Sequence, residues 1–162
     1  MAKFHTVFDG KLGMLEGTKH LEVDETVSPV RLPLRKILIA SKDPLKQELE
    51  RLVQLGVIVK ETDPTDWVSS IVVPTKANGK MRLCIDPQPL NKALKRPQYP
   101  LHLLDEALPQ LTSTKVFSVC NVENGFWHLT LDETSSKLTT FNTPFGRFRW
   151  TRLPFGVSPA PE

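Results

Sequence analysis

A chain of 162 residues is long enough for one domain with a hydrophobic core and too short for two domains of ordinary size. Its composition, 40% hydrophobic and 24% charged residues with a net charge of +3, excludes a disordered tail and is typical of a globular protein. No apolar stretch approaches the roughly 18 residues that a membrane span requires, so we expect no membrane partner.

The N-terminus and the two cysteines give an expectation of the cellular compartment. The N-terminus, "MAKFHTVFDG", has no charged region followed by an apolar run. We therefore expect no secretion signal and an intracellular location, cytoplasmic or nuclear. Cys84 and Cys120 lie in apolar stretches without the spacing of metal ligands, which predicts buried thiols in a reducing compartment.

The positive charge is unevenly distributed along the chain. Residues 76–96 hold six basic side chains and one acid, and residues 137–152 hold four basic side chains and no acid. Two basic blocks on separate elements could converge into a groove for a phosphate backbone. Solvated faces that only keep the protein in solution would give the same pattern, so charge alone leaves both interpretations open.

The first predicted elements are an arm and a helix. Residues 1–42 predict an extended connector or N-terminal arm, because their prolines exclude a long helix. The segment "DPLKQELERLVQLG", residues 43–56, predicts a helix that begins at Asp43 as N-cap and closes at Gly56. Apolar residues at three-to-four spacing predict its buried face. These residues are Leu45, Leu49, Leu52, Val53 and Leu55.

Two segments predict β-hairpins. Residues 67–86, "WVSSIVVPTKANGKMRLCID", contain two strand-forming runs on either side of Asn78-Gly79, which is a strong signal for a tight turn. Residues 137–156, "KLTTFNTPFGRFRWTRLPFG", predict a second hairpin that turns at residues 144–146.

A helix and a strand are predicted between the hairpins. Residues 100–111, "PLHLLDEALPQL", predict a second helix that breaks or ends at Pro109. Residues 115–122, "KVFSVCNV", form a continuous apolar run and predict a buried strand over residues 116–121. Hairpins and helices without regular alternation predict an α+β fold.

Three segments then follow one another in an informative order: "TKANGKMRLCIDPQPLNK", "FSVCNVENGFW" and "TPFGRFRWTRLPFGVSPAPE". Together they resemble the fingers and the first part of the palm of a reverse transcriptase, and they are most similar to the pol polyproteins of gypsy-type LTR retrotransposons. The resemblance covers about residues 7–162. It implies an incomplete fingers–palm portion of a right-hand polymerase, with a connector at residues 1–42 and a partial reverse transcriptase domain at residues 43–162.

The resemblance also implies a chemistry. Members of the family transfer nucleotides with two Mg²⁺ ions, which are held by one carboxylate after the strand–turn and two in a later Tyr-x-Asp-Asp hairpin. The expected first aspartate aligns with Asn121, whose amide offers a neutral oxygen where Mg²⁺ prefers an anionic one. Tyr-x-Asp-Asp does not occur in this sequence. We therefore expect no productive Mg²⁺ binding and no catalysis by the chain as it stands.

Two other interpretations of the strand–turn stay open. Asn121 is also an ordinary residue for a turn at the end of a strand. Glu123 lies two positions further on and is an alternative carboxylate, although it starts from a different backbone position within the turn.

The resemblance implies a set of nucleotide-binding residues as well. Arg82 matches an arginine that grips the triphosphate, and Phe126 matches a side chain that crowds a 2′-hydroxyl and so selects deoxyribonucleotides. Core packing is the alternative role for Phe126. Lys76 and Lys80 are candidates for phosphate contact, and surface solubility is the alternative role for both. Asp86 and Asn91 match a structural stretch and are not predicted to be catalytic. The full predicted set is Lys76, Lys80, Arg82, Asn124, Gly125, Phe126, Phe155 and Gly156.

Three functions are compatible with these residues. The first is a fragment of a retrotransposon-derived reverse transcriptase that is inactive as it stands. The second is a repurposed module that binds nucleic acid or protein without catalysis, and the third is a relic with no function of its own. The expected partners are RNA or a primer–template, bound weakly and in a salt-dependent way, and the downstream polymerase, RNase H and integrase parts of a polyprotein.

Overall fold

The structure is a computed structural model, and it describes residues 8–74, 81–96, 108–109 and 115–160. Several sequence predictions lie outside these residues. They are the Asn78-Gly79 turn, the helix at residues 100–111 apart from its residues 108–109, and the side chains of Lys76 and Lys80.

Helices and strands alternate irregularly along the described part of the chain. The helices are α1 (Lys42–Gln54), α2 (Gln88–Ala93) and α3 (Glu133–Leu138), with short 3-10 segments at Ile39–Ser41 and Gly125–His128. The strands are β1 (Thr18–Lys19), β2 (Ile58–Lys60), β3 (Ser70–Val72), β4 (Cys84–Asp86), β5 (Thr130–Leu131), β6 (Phe141–Thr143) and β7 (Gly146–Trp150). This mixed composition confirms the predicted α+β fold.

Helix α1 confirms the first predicted helix, with two differences. Its N-cap is Ser41, two residues before the predicted Asp43, so Asp43 lies in the first turn, where its charge suits the helix dipole. Its buried stripe is narrower than the apolar pattern. Leu45, Leu49 and Leu52 are buried because they recur at spacings of four and three residues, whereas the other two apolar residues of the stripe are exposed.

The strands of both predicted hairpins pair, and the turn of the first hairpin lies outside the described residues. Strands β3 and β4 pair antiparallel with Ile71 opposite Ile85, and β6 and β7 pair antiparallel with Phe141 opposite Phe148. Strand β2 pairs with the other edge of β7, which gives a three-stranded sheet in the order β2-β7-β6. In β7 the side chains alternate: Phe148 and Trp150 face the core while Arg147 and Arg149 remain partly accessible.

The hydrophobic core lies between α1 and this three-stranded sheet. The ring of Phe141 lies 5.9 Å from that of Trp150 and 6.0 Å from that of Phe148. Leu45 and Leu52 of α1 are fully buried in the same cluster. Because large rings and branched side chains pack together here, this part of the core holds the β6–β7 hairpin against the helix.

The predicted buried strand at residues 116–121 is wrong. Residues 115–122 have no regular secondary structure, and Val116, Phe117 and Val119 are 81%, 65% and 96% exposed. A strand with two apolar faces is stable only between neighbouring strands, and no described strand pairs with this segment. The prediction of buried thiols is wrong too, because Cys120 lies in this segment and is exposed, while Cys84 is half-buried.

The described part of the N-terminal arm has little regular secondary structure and runs across the rest of the protein. Strand β1 pairs parallel with β5, and Leu21, which is 2% exposed, joins the core. Further along, the backbone of Asp24 donates a hydrogen bond to the carbonyl of Ala93, and that of Leu32 to the carbonyl of Val68. The arm is therefore fastened at several places, which positions the site described next.

Candidate functional site

A surface pocket of about 360 Å³ collects most of the residues that the resemblance singled out. Its walls come from the residues just before β4, the segment around the 3-10 helix at Gly125–His128, and the loop after β7. The lining residues are Arg82, Asn121, Val122, Glu123, Asn124, Gly125, Phe126 and Phe155. Six of them were predicted as site residues from the sequence, although they are separated by up to 73 positions along the chain.

One wall of the pocket consists of a cation and two aromatic rings. The guanidinium carbon of Arg82 lies 4.1 Å from the ring centre of Phe155, a distance suited to a cation–π contact. The ring of Phe126 meets that of Phe155 edge-on, with their centres 5.0 Å apart. The backbone of Arg82 is held in turn, because its N–H donates to the carbonyl of Pro74. This wall offers planar N–H donors beside an apolar surface.

The opposite wall is a tight turn. Asn124 adopts a left-handed conformation with φ 52°, which asparagine tolerates better than most residues, and it begins the 3-10 helix. The N–H of Trp127 donates to the carbonyl of Asn124 at 2.8 Å, and the buried Trp127 ring anchors the turn in the core. A Cβ at Gly125 would have ordinary contact with Val122, at 3.8 Å. No close neighbour therefore demands a glycine there.

The loop beneath Phe155 is braced from α2. The amide of Asn91 donates to the carbonyl of Gly156 and accepts from the backbone N–H of Ser158, both at 2.8 Å. Gly156 has φ +101°, and a Cβ there would lie 3.1 Å from the carbonyl oxygen of Ile85. Gly156 does not line the pocket itself, but its close approach to β4 and the Asn91 brace hold the loop that carries Phe155.

The polar rim of the pocket holds Asn121 and Glu123, and both are exposed. The charge of Glu123 acts on Arg51 of α1. The pKa of Arg51 is raised mainly by its hydrogen bond to Glu48, with a smaller contribution from the charge of Glu123.

These donors do not fit the two Mg²⁺ ions that the resemblance implies. The rim supplies one carboxylate, from Glu123, and the neutral amide of Asn121, whereas a pair of divalent ions needs several anionic oxygens. In the described ranges, no group of three or more His, Cys, Asp or Glu side chains is placed to hold a metal ion. We therefore derive no metal-dependent step for the described residues.

Two predicted residues, Lys76 and Lys80, lie outside the described residues, so their distance from the pocket is not part of the structure. Val122 lines the pocket and was missed, because an apolar residue in an apolar run gives no functional signal.

Within the described part of the chain, no helix is long and apolar enough to cross a membrane.

Comparison with known proteins places these observations in a family. Residues 73–162 match the family described as reverse transcriptase (RNA-dependent DNA polymerase). The chain is 35% identical over 162 residues to an uncharacterised protein of Caenorhabditis elegans, covering 98% of this chain and 13% of that protein. It is also 35% identical over 131 residues to a retrovirus-related Pol polyprotein from transposon 412 of Drosophila melanogaster, covering 75% of this chain and 11% of that polyprotein. The chain thus spans about an eighth of the length of these relatives.

Solved structures show the same fold. The protease–reverse transcriptase of prototype foamy virus matches with a TM-score of 0.82 at 20% identity, covering 99% of this chain and 22% of that chain. A foamy viral protease–reverse transcriptase in complex with an RNA/DNA hybrid matches with a TM-score of 0.71 at 22% identity, covering 93% of this chain and 20% of that chain. The fold is that of reverse transcriptase fingers and palm. The family match covers more than half of the residues of this chain. The chain therefore belongs to the reverse transcriptase (RNA-dependent DNA polymerase) family.

Proposed function

We propose that the chain is the fingers and first palm portion of a retrotransposon-derived reverse transcriptase, and that its pocket receives an incoming deoxynucleoside triphosphate. The observation that supports this proposal is a convergence. Arg82, Phe126 and Phe155 come from three separate segments and line one pocket. A guanidinium binds phosphate oxygens in a planar, bidentate way, and aromatic rings offer stacking surfaces to a base or sugar.

The contacts within the wall favour this role. Because Arg82 lies over the ring of Phe155, its guanidinium plane is restricted before any ligand binds, which lowers the entropy cost of gripping a triphosphate. Phe126 is held by its edge-on contact with the same ring. In the proposed complex Phe126 approaches the sugar and disfavours a 2′-hydroxyl, so deoxynucleotides bind better than ribonucleotides.

We further propose that the chain, as it stands, binds without catalysing synthesis. The resemblance implies two Mg²⁺ ions, and the described donors around the pocket do not fit that requirement. Asn121 takes the position of the metal-binding aspartate, so in this proposal the pocket keeps its nucleotide-binding wall and lacks the first anionic ligand.

Nucleic acid is the second proposed ligand. A foamy viral relative has been solved with an RNA/DNA hybrid. We propose that RNA or a primer–template binds this chain weakly through basic side chains that include Lys76 and Lys80. Such binding neutralises phosphates and releases counterions, so it should weaken as salt is added.

The exposed apolar segment at residues 116–122 fits a further partner. Val116, Phe117, Val119 and Val122 are all exposed, which is costly for large apolar side chains in water. We propose that other parts of a polyprotein, first of all the remaining palm strands, pair with this segment and cover it. In that assembly residues 116–121 would become the strand that their apolar pattern favours.

Nucleotide binding by the 162-residue chain tests the proposal. We expect a deoxynucleoside triphosphate to bind more tightly than its ribonucleotide, as measured by isothermal titration calorimetry. Arg82→Lys keeps the charge and loses the planar fork, and Phe155→Leu removes the ring. Each should weaken binding by about threefold or more, Arg82→Lys by losing bidentate phosphate contacts and Phe155→Leu by losing the cation–π contact. The matched control is Arg31→Lys. Arg31 pairs with Asp66 and does not line the pocket. Equal affinities in all four proteins would contradict the proposal.

A further inference from the structure

The N-terminal arm crosses directly behind the turn that lines the pocket. The backbone N–H of Leu15 donates to the carbonyl of His128 at 2.8 Å. Two residues earlier, Gly13 lies against the imidazole of the same histidine. A Cβ at Gly13 would lie 2.9 Å from Nδ1 and 3.1 Å from Cε1 of His128, closer than side-chain atoms normally approach. The missing side chain therefore makes room for the ring.

The backbone conformation gives no other reason for a glycine at this place. Gly10 and Gly17, on either side, have φ +75° and +87°, in the region that favours glycine, and a Cβ at either would meet nothing within 4 Å. Gly13 does not have such a φ. Two glycines of the arm thus serve turns, whereas Gly13 serves a close contact with His128.

The imidazole of His128 connects the arm to the pocket. Its Nε2 lies 3.2 Å from the carbonyl oxygen of Glu123, which lines the pocket. A carbonyl oxygen only accepts hydrogen bonds, so Nε2 carries the proton and the Nδ1 edge faces Gly13. The ring therefore fills the space between the arm on one side and the pocket-lining backbone on the other.

The arm is itself fixed on the C-terminal side of this contact. Beyond Leu15, strand β1 pairs with β5, with Thr18 opposite Thr130. Next to it, Nδ1 of His20 lies 2.6 Å from the carboxylate of Asp132, and the N–H of Leu21 donates to Ser135. Because these bonds hold the arm, Gly13 cannot move away from His128 at little cost.

We propose that His128 is a positioning residue for the candidate nucleotide pocket and that the arm at Gly13 holds its ring in place. The arm is then part of the functional unit and not only a connector. The nucleotide part of this inference rests on the proposed function. The positioning part concerns the turn at residues 122–127, whose order can be measured without any ligand.

Hydrogen exchange on the full chain tests the positioning directly. The informative proton is the N–H of Trp127, which donates to the carbonyl of Asn124 within the pocket turn. Gly13→Ala should push the ring away, and His128→Ala should remove it. Each should speed exchange of this proton by about two- to tenfold, the range for losing one hydrogen bond. The double variant should exchange no faster than the faster single variant, because both changes break the same connection.

Two further variants separate positioning from general loosening of the arm. His20→Ala removes one tether of the arm and leaves the pairing of β1 with β5 and the Leu21–Ser135 bond in place, so it should leave the Trp127 exchange rate unchanged. His128→Gln keeps a donor near the Glu123 carbonyl, so the Trp127 N–H should exchange more slowly in this variant than in His128→Ala. Additive effects of Gly13→Ala and His128→Ala, or an equal effect of His20→Ala, would overturn the inference.

Affinity for a deoxynucleoside triphosphate gives the second measurement. Gly13→Ala and His128→Ala should weaken binding two- to tenfold, in parallel with faster exchange, while His20→Ala binds like the unchanged chain. If the unchanged chain binds no nucleotide, the proposed function is wrong, and the exchange rates still decide whether His128 positions the turn.

Discussion

Glu61 and Arg149 form an ion pair inside the protein, with the carboxylate oxygen of Glu61 2.9 Å from Nε of Arg149. The Glu61 side chain is 5% exposed and that of Arg149 is 22% exposed. Each member of the pair makes a further hydrogen bond. Glu61 accepts from the N–H of Asp63 at 2.8 Å, and Arg149 donates to Ser136 at 2.6 Å. The pair thus joins the segment after β2 to β7 and to α3.

Removing one charge of this pair should be costly. Glu61→Gln keeps the shape and leaves the Arg149 guanidinium without its counter-charge, so we expect a loss of about 2–4 kcal/mol in the free energy of unfolding. Urea denaturation measures this loss. Glu133→Gln breaks an exposed pair with Lys137 on α3 and is the control, with an expected loss of about 0.5 kcal/mol or less. Similar losses in both variants would show that the buried pair has no special weight.

Asp132 should make stability depend on pH. Although partial burial opposes ionisation, hydrogen bonds from the backbone of Ser135 and from His20 hold the pKa of Asp132 below its ordinary value of 3.8. A carboxyl whose pKa falls on folding stabilises the folded state when ionised. This stabilisation is complete above about pH 5 and is lost as the pH falls through 3.8 and below.

Asp132→Asn isolates that contribution. Asparagine caps a helix about as well as aspartate, so the start of α3 is preserved while the titrating charge is removed. We expect the free energy of unfolding of the variant to fall less than that of the unchanged chain between about pH 6 and pH 3. Parallel pH profiles for the two proteins would refute the assignment.

Two glycines of the site should respond differently to the same substitution. Gly156→Ala forces a side chain into a conformation with φ +101° and brings its Cβ to 3.1 Å from the Ile85 carbonyl, so we expect a loss of about 1–3 kcal/mol in stability. Gly125→Ala meets only Val122 at 3.8 Å and should leave stability nearly unchanged. It should still weaken nucleotide binding, because the added methyl group occupies pocket space. Thermal unfolding and calorimetric titration separate the two effects, and a stable, fully binding Gly156→Ala protein would contradict the role given to the loop.

Asn121 predicts a non-additive pair of changes. Asn121→Asp in this chain should not yield synthesis, because the described residues lack further carboxylates for two metal ions. A graft of a relative's remaining palm and thumb, with its Tyr-x-Asp-Asp hairpin, should stay nearly inactive while Asn121 remains. Both changes together should give primer extension, since the ligands act as one unit. A graft that extends primers equally well with asparagine or aspartate would show that Asn121 is not at the metal position.

Nucleic-acid binding should be electrostatic and insensitive to sequence. We expect the affinity for an RNA/DNA hybrid to fall steeply between low and physiological salt, as counterions are released. Lys80→Ala combined with Arg82→Ala should weaken binding to all sequences alike, because phosphate contacts carry no base information. Fluorescence anisotropy across a salt series measures both effects. An affinity that does not change with salt would remove the electrostatic argument.

Local signals in the sequence were enough for several elements. Helix α1 follows from the spacing of Leu45, Leu49 and Leu52, and each hairpin follows from two β-rich runs around a turn. These elements are decided by interactions between residues near in sequence, so their pattern can be read without knowing the fold. The pocket residues were predicted because the order of three motifs matched a family, and the structure brings Arg82, Phe126 and Phe155 together.

By itself, then, the sequence determined the α+β class, α1 and the strands of both hairpins, while the nucleotide-binding role of the pocket residues stays a prediction. Only the tertiary structure decided that residues 116–121 do not form a strand, because an apolar run becomes a strand only where neighbouring strands pair with it. The same holds for the ion pair of Glu61 and Arg149 and for the contact of Gly13 with His128. Their partners are distant along the chain, and nothing local to either residue specifies the other. Such pairs arise when packing of the whole chain sets the distance between segments.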